Sequence, residues 1–393
     1  MFIEKSHFPG ILSDIYNVNP YVLIDNLNKS EDVIFDETLN SHLAISYDAV
    51  RHILKNHNIY TTKPLAERAE PIMKGKVLAQ MEGEEHRIKR HIILQQFTGN
   101  ILKYYYKPKL IEIFDSLIID LSGKDKFNFI AELGNKFAIL STFEIIGIDH
   151  SQFDWFHVRL KNILKFAIGF NLSEGTQKSS LLSAEELESA ILKLIDERKI
   201  SLKSDIISFI LKDSEYNNII NDSDIVALTL NILLAASEPV DKVLANCIYH
   251  LYRDKNYTDK LLDGSCSHNL IIQECLRLTP PVHLIPRLIE VDSCIGGVNF
   301  RAGELIYSLI PSANRDEKYF ISPSVFAPYR SYKSHLSYGA GMHVCIGAQF
   351  ANMQLSIALE KLVPIINSYV EAEPPKFDGV YTRGAIEYYL KRV

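Results

Sequence analysis

The chain opens without a long apolar run: in MFIEKSHFPGILSDIYNVNP, Glu4, Lys5, His7, Pro9 and Gly10 interrupt it well before the roughly 20 residues that a membrane span needs. No signal peptide or anchor is visible there, so the expected location is cytoplasmic, with no membrane partner. Cysteine is sparse and odd in number. Cys247, Cys266, Cys275, Cys294 and Cys345 show no paired metal-ligand spacing, which disfavours a disulfide framework and a zinc site. Each is expected to be a free thiol unless chemistry recruits it. An excess of one charge is also missing, since 42 Lys and Arg against 48 Asp and Glu leave a net charge of -6. The basic residues are spread along the chain instead of forming the stripe of a nucleic-acid binder, and no nucleic-acid partner is expected. No internal repeat, low-complexity tract or Pro/Gly/Ser linker divides the sequence.

What is present is enough for a large core: 393 residues, 47% of them hydrophobic. Apolar residues recur at helical spacing over 111–121, 135–148, 186–200 and, longest of all, 222–252. The middle of the last segment, LTLNILLAASEPV, is apolar nearly all round, which predicts a helix running through the core. Strand signals gather between 282 and 309, in VHLIPRLIEV, SCIGGVNF and GELIYSLI, with Gly296 and Gly297 placed for a hairpin turn. The expectation is one mostly α domain over 1–393 with a small β subregion.

Chemistry concentrates in HLSYGAGMHVCIGAQFANMQLSIALEKLV (335–363). Gly339 and Gly341 permit a tight loop against a flat ligand, His343 precedes Cys345 by two, and Gly347 allows close backbone approach before a helix. A thiolate at a helix N-terminus gains from the dipole and from free N–H groups, which predicts a lowered pKa. A lone Cys in such a turn is usually a packed thiol, but the whole spacing from Tyr338 to Gly347 resembles the haem loop of the cytochrome P450 family, Phe-Gly-x-Gly-x-His-x-Cys-x-Gly. Only Tyr338 departs, in place of the leading Phe, and could change the packing or polarity beside the thiolate.

The resemblance extends outward from that loop. In IIQECLRLTPPV, Glu274 and Arg277 stand at i, i+3 on one helix face, as in the family's Glu-x-x-Arg pair, and in SPSVFAPYRS the third member of that network is expected at Arg330. Ala313-Asn314-Arg315-Asp316 looks like the segment that follows the β hairpin in bacterial members. GEEHRIKRHII resembles the helix whose basic residues hold the haem propionates, which implies contacts from His86 and Arg90, with Arg287 and His343 in the same role.

The family resemblance implies a haem b cofactor, with Cys345 as the iron ligand and Tyr338, Gly339 and Gly347 shaping its loop. It also implies monooxygenase chemistry in which the thiolate favours O–O cleavage. Electrons would come from a separate ferredoxin or flavodoxin with its NAD(P)H reductase. Three stretches, 61–86, 233–242 and 280–298, together with VYTRG near the end, look like the branch of the family that oxidises a cyclic dipeptide, cyclo(Leu-Leu). In most members the central helix carries an acid followed by a Thr that helps to relay protons. Here Ala235-Ala236-Ser237-Glu238-Pro239 keeps the acid and has Pro in place of the Thr. Pro239 predicts a kink and a groove for oxygen and water, and substrate amide or hydroxyl groups with ordered water near Glu238 are expected to replace the missing Thr. Three rivals remain: oxidation of another apolar molecule, a peroxide-driven fatty-acid peroxygenase, and a non-catalytic haem sensor. Glu238 before Pro239, where the peroxygenases carry Arg-Pro, counts against the second.

Overall fold

Pro239 divides the longest apolar segment. In a computed structural model, which describes residues 8–27, 31–331 and 334–393, the expected single helix over 222–252 is two helices, α7 (Asp222–Ser237) and α8 (Pro239–Arg253). They meet at Glu238, whose φ is −117°. Proline has no N–H to give to the carbonyl four residues earlier, here that of Ala235, so the ladder is interrupted where the kink was expected. The start of α7 is fixed by a reciprocal cap in which Asp224 N–H donates to Asn221 Oδ1 (3.0 Å) and Asn221 N–H donates to Asp224 Oδ2 (3.1 Å). By length and composition the stretch Asp222–Arg253 could cross a membrane, but 61% of its apolar window is buried inside the protein. Its apolarity is accounted for by the core.

Around this axis pack α1 (Lys63–Met73), α2 (Gly83–Leu94), α3 (Lys107–Leu121), α4 (Asn135–Ile146), α5 (Phe153–Ile168), α6 (Glu174–Ile200), α9 (His268–Leu278) and α10 (Ala348–Leu362). The helical segments expected at 111–121 and 186–200 fall within α3 and α6, and the one expected at 135–148 is α4, which Gly147 (φ +83°) ends two residues early. Helix makes up 58% of the chain. A largely apolar core joins α3, α4, α7, α8, α9 and α10 through residues such as Phe114, Phe137, Leu230, Leu244 and Ile271, all fully buried. Lys89 on α2 donates to Asp224 at 2.8 Å and so ties α2 to the first turn of α7.

A five-stranded sheet lies to one side, in the order β1 (Val33–Asp36), β2 (Ser41–Ala44), β7 (Leu305–Leu309), β4 (Leu284–Ile289), β3 (Tyr60–Thr61). The expected strands at 282–309 are present. Gly296 (φ +56°) and Gly297 (φ +83°) turn the hairpin between β5 (Ser293–Ile295) and β6 (Val298–Phe300), a place where two successive left-handed residues favour glycine. The N-terminal strands β1 and β2 had no alternating signal, and β2 joins the sheet by parallel pairing to β7. The opening residues 1–7, on which the reading of an absent leader rests, lie outside the described residues.

Glu274 connects this scaffold to the loop that carries Cys345. Its carboxylate accepts from Arg277 Nε (2.8 Å) and Nη2 (2.8 Å), from Arg330 Nε (3.0 Å) and from the Ala327 N–H (2.9 Å). Arg277 also donates to the carbonyls of Asn314 (2.9 Å) and Pro323 (2.7 Å), and Arg330 donates to that of Val325 (2.8 Å). Arg330 thus occupies the expected third place. Glu274 is 4% exposed and Arg277 2%. Removing one partner of a buried pair leaves an uncompensated charge, so Glu274→Ala is expected to lose about 3–5 kcal/mol of stability. Urea unfolding measures this, and a loss below about 1 kcal/mol would place the pair with ordinary surface salt bridges.

Candidate functional site

The Cys345 loop is held by its own backbone. Gly339 N–H donates to the Leu336 carbonyl and Cys345 N–H to the Tyr338 carbonyl, each at 2.8 Å. Asn314 bridges the start of the loop, accepting from Leu336 N–H (2.8 Å) and donating to Ser337 Oγ (2.9 Å), while Ser337 Oγ donates to the Leu276 carbonyl on α9 (2.6 Å). Gly341 (φ +75°) must be glycine for two reasons, since a Cβ there would also lie 2.6 Å from the Leu54 carbonyl oxygen. The Tyr338 hydroxyl donates to Asn352 Oδ1 (3.2 Å) on α10. The polar end of the substituted residue is therefore satisfied by the helix.

Cys345 is exposed, whereas Cys247, Cys266 and Cys275 are buried and Cys294 lies at the far hairpin. The helix after the thiol starts at Ala348, not directly after Cys345, with Gly347 at its N-cap position. The expected lowering of the thiol pKa is not what this environment gives. Solvent reaches the residue, yet protein encloses the sulfur closely enough that burial pushes its pKa up; the Gly347 N–H and Arg90 act against that push without reversing it.

Four basic groups from three segments converge beside this loop. His86 and Arg90 lie on α2, Arg287 on β4 and His343 in the loop, and the rings of His86 and His343 are 4.8 Å apart. Arg90 Nη2 donates to the Val344 carbonyl (2.5 Å). Arg287 is 4% exposed, and its guanidinium donates to its neighbour's carbonyl, Pro286 O (2.8 Å). Burial pushes His343 down to about 3, with Arg287, His86, His57 and Arg90 adding to the effect, and burial pushes Arg287 down to about 10. His86 Nε2 and both ring nitrogens of His343 are buried with no hydrogen-bond partner, and among the described residues none of these four groups is in an ion pair. Buried donors and cations in that condition need an anion. The two propionates of haem supply one, so the residues fit the group that the loop implies. His57 was missed because nothing in its local sequence points toward the cluster.

At the break between α7 and α8, Ala235 is exposed and Ala236 half-buried, although Leu233 and Leu234 immediately before them are buried. Small side chains there leave space beside a core helix. Glu238, expected beside water and substrate, has its carboxylate engaged by protein: Lys242 Nζ donates to Oε1 at close range, and Thr382 Oγ1 donates to the same oxygen at 2.9 Å. Neither partner was singled out in the sequence, although Thr382 lies within the quoted VYTRG. Open grooves of about 720 and 520 Å³ beside Asp149 and Lys203, and an apolar hollow of about 160 Å³ near Phe127, contain none of these residues.

This fold and site define a class. Residues 268–364 match the family model Cytochrome P450, and the chain belongs to the cytochrome P450 family, whose members are haem-dependent monooxygenases. Within it, pulcherriminic acid synthase of Bacillus subtilis (strain 168) is 35% identical over 96% of this chain and 96% of its own length. A biotin biosynthesis cytochrome P450 of the same bacterium is 25% identical over 88% of each chain. Among solved structures, a myxobacterial cytochrome P450 in complex with myristic acid superposes with a TM-score of 0.89 at 19% identity, covering 98% of this chain and all of that one. Its likeness shows the mostly α fold with its small sheets.

The cationic cluster generates a test. Arg287→Leu removes one charge-assisted bond to a carboxylate, worth about 1.5–3 kcal/mol, and should weaken haem retention by about tenfold or more. Haem-to-protein ratio after gel filtration in the presence of apomyoglobin reads this, and unchanged retention would take Arg287 out of the cofactor site.

Proposed function

We propose that this chain oxidises the cyclic dipeptide cyclo(Leu-Leu) to pulcherriminic acid. The observation that carries the proposal is the 35% identity to pulcherriminic acid synthase, spread over 96% of both chains instead of being confined to the haem loop. In this reading the whole chain, 1–393, acts as one domain. Cys345 would ligate the haem iron through its thiolate, in a loop shaped by Tyr338, Gly339 and Gly347, and His86, Arg90, Arg287 and His343 would hold the propionates.

The haem iron supplies the activation of dioxygen, and the chain supplies position, dryness and protons. Ala235 and Ala236 leave room for substrate beside the helix break. Pro239 leaves the Ala235 carbonyl without its helical donor, and a ring amide N–H of the dipeptide is a natural partner for it. Glu238 carries the proton. Two isobutyl side chains call for apolar walls with few polar groups. A ferredoxin or flavodoxin, with its NAD(P)H reductase, feeds the electrons. A cytoplasmic location is consistent with this chemistry and with the burial of Asp222–Arg253 in the core.

Two measurements follow. Cys345→Ser should abolish the strongly red-shifted Soret band of the reduced carbon monoxide complex; survival of the band would remove Cys345 as ligand. Titrating the ferric holoenzyme with cyclo(Leu-Leu) should shift the iron toward high spin. A response to long-chain fatty acids with none to cyclo(Leu-Leu) would sink the substrate assignment.

A further inference from the structure

The carboxylate of Glu238 does not stand alone at the helix break. It is 9% exposed, and two residues from different parts of the chain meet its Oε1: Lys242, one turn along α8, and Thr382, 144 residues away in the turn that precedes the strand Gly384–Glu387. Lys242 Nζ also reaches Thr382 Oγ1 (3.4 Å), so the three groups close a triangle. All are nearly buried, with Lys242 and Thr382 each 7% exposed.

The surroundings are built for this contact. Gly384 does not need glycine for its backbone, but a Cβ there would lie 2.2 Å from Lys242 Cγ and 2.5 Å from its Cβ. The lysine stem thus crosses the strand at a point where no side chain fits. Arg383 N–H donates to the Pro281 carbonyl (2.8 Å) and fixes the turn against the segment before β4. The other charged groups near Lys242 are Asp378, which favours its charged form, His283, on which its charge acts, and the adjacent Asp241. Burial pulls Lys242 down to about 7, and it pushes Asp241 up to about 8, with the Lys242 N–H and Asn135 opposing. Asp241 Oδ1 and Asn135 Oδ1 have no partner.

The hydroxyl that most family members place next to the acid is absent at Pro239. We propose that Thr382 supplies it from the C-terminal turn, and that Lys242 and Thr382 are positioning residues that hold Glu238 as an internal proton carrier and reload it. Each insertion of one oxygen atom takes two electrons from the external donor and two protons from solvent, and releases one water. Lys242 hands its proton to Glu238 and regains one from the Asp378 side; Thr382 fixes the carboxylate oxygen that passes it on. This inference rests on the reading of Glu238 as proton carrier.

The test uses the full-length holoenzyme with an NAD(P)H-driven ferredoxin system and cyclo(Leu-Leu). It measures hydrogen peroxide released per NAD(P)H consumed, with the substrate-induced spin shift and the carbon monoxide spectrum as checks on folding and binding. Thr382→Val should raise peroxide release by about tenfold while the affinity read from the spin shift stays within about twofold, and Thr382→Ser should restore the parent ratio. A readout independent of turnover is infrared difference spectroscopy of the resting ferric protein. Lys242→Met leaves Glu238 buried without its cation, so a new protonated-carboxyl band should appear, and it should vanish in Lys242→Met/Glu238→Gln. Parental peroxide release in Thr382→Val, or no new band in Lys242→Met, overturns the proposal. If Glu238→Gln itself releases no more peroxide than the parent, the carrier reading falls as well; if Glu238→Gln is defective and Thr382→Val is not, only the positioning inference falls.

Discussion

A single buried carboxylate, that of Glu274, sets the geometry on which the site depends. It sits on α9 and takes donors from Arg277, Arg330 and the Ala327 backbone, while the two guanidiniums go on to bind carbonyls of Asn314, Ile321, Pro323 and Val325. A long irregular segment is thereby held through its backbone acceptors, which a loop without sheet or helix partners cannot otherwise satisfy away from water. The consequence passes along the chain. Asn314, fixed by Arg277, orients Leu336 and Ser337, and the Tyr338 carbonyl then receives the N–H of Cys345. The thiol is placed by a chain of hydrogen bonds that begins on a helix more than sixty residues earlier.

The opposite sign governs the other side of the loop. Arg90, Arg287, His86 and His343 come from three separate stretches of sequence, and burial holds His343 far toward its neutral form, with its basic neighbours adding to the effect. Such clustering would be destabilising as a purely structural device. A dianionic edge bound there would offset those repulsions with charge-assisted attractions. Burial raises the Cys345 thiol, and a cationic metal bound to it would supply the stabilisation of the thiolate that the protein alone withholds.

Much of this was legible in the residues. The Cys345 loop, the Glu274/Arg277 spacing and the Gly296-Gly297 hairpin are local patterns whose physics is complete within a few residues, and the structure has them where the sequence put them. Arg330 was reachable only through family resemblance, because nothing local ties it to Glu274. Strands β1 and β2 carry too few alternating positions to register; β2 takes its place by pairing with β7, some 260 residues on, and β1 follows through β2. Lys242 and Thr382 were missed for a related reason: i, i+4 from Glu238 looks like an ordinary helix-face pair, and the partner that gives it meaning comes from the far end of the chain. Non-local convergence leaves no periodicity behind.

Pro239 shows how one residue can serve both aspects of the central helix. As a break it frees the Ala235 carbonyl on one side, beside the small residues that leave space there. On the other side it starts a new helix within the core, and a helix start carries uncompensated N–H groups and a positive pole. Glu238 and Asp241 stand at that start, at the N-cap and in the first turn. Burial pushes the Asp241 carboxyl up to about 8 against the opposing Lys242 N–H and Asn135, and Lys242, one turn further on, closes over Glu238. An unbroken helix with threonine at 239 would provide a hydroxyl but no such pole. The proline exchanges a local hydroxyl for a helix N-terminus, and the hydroxyl then comes from Thr382, whose turn the fold brings against α8.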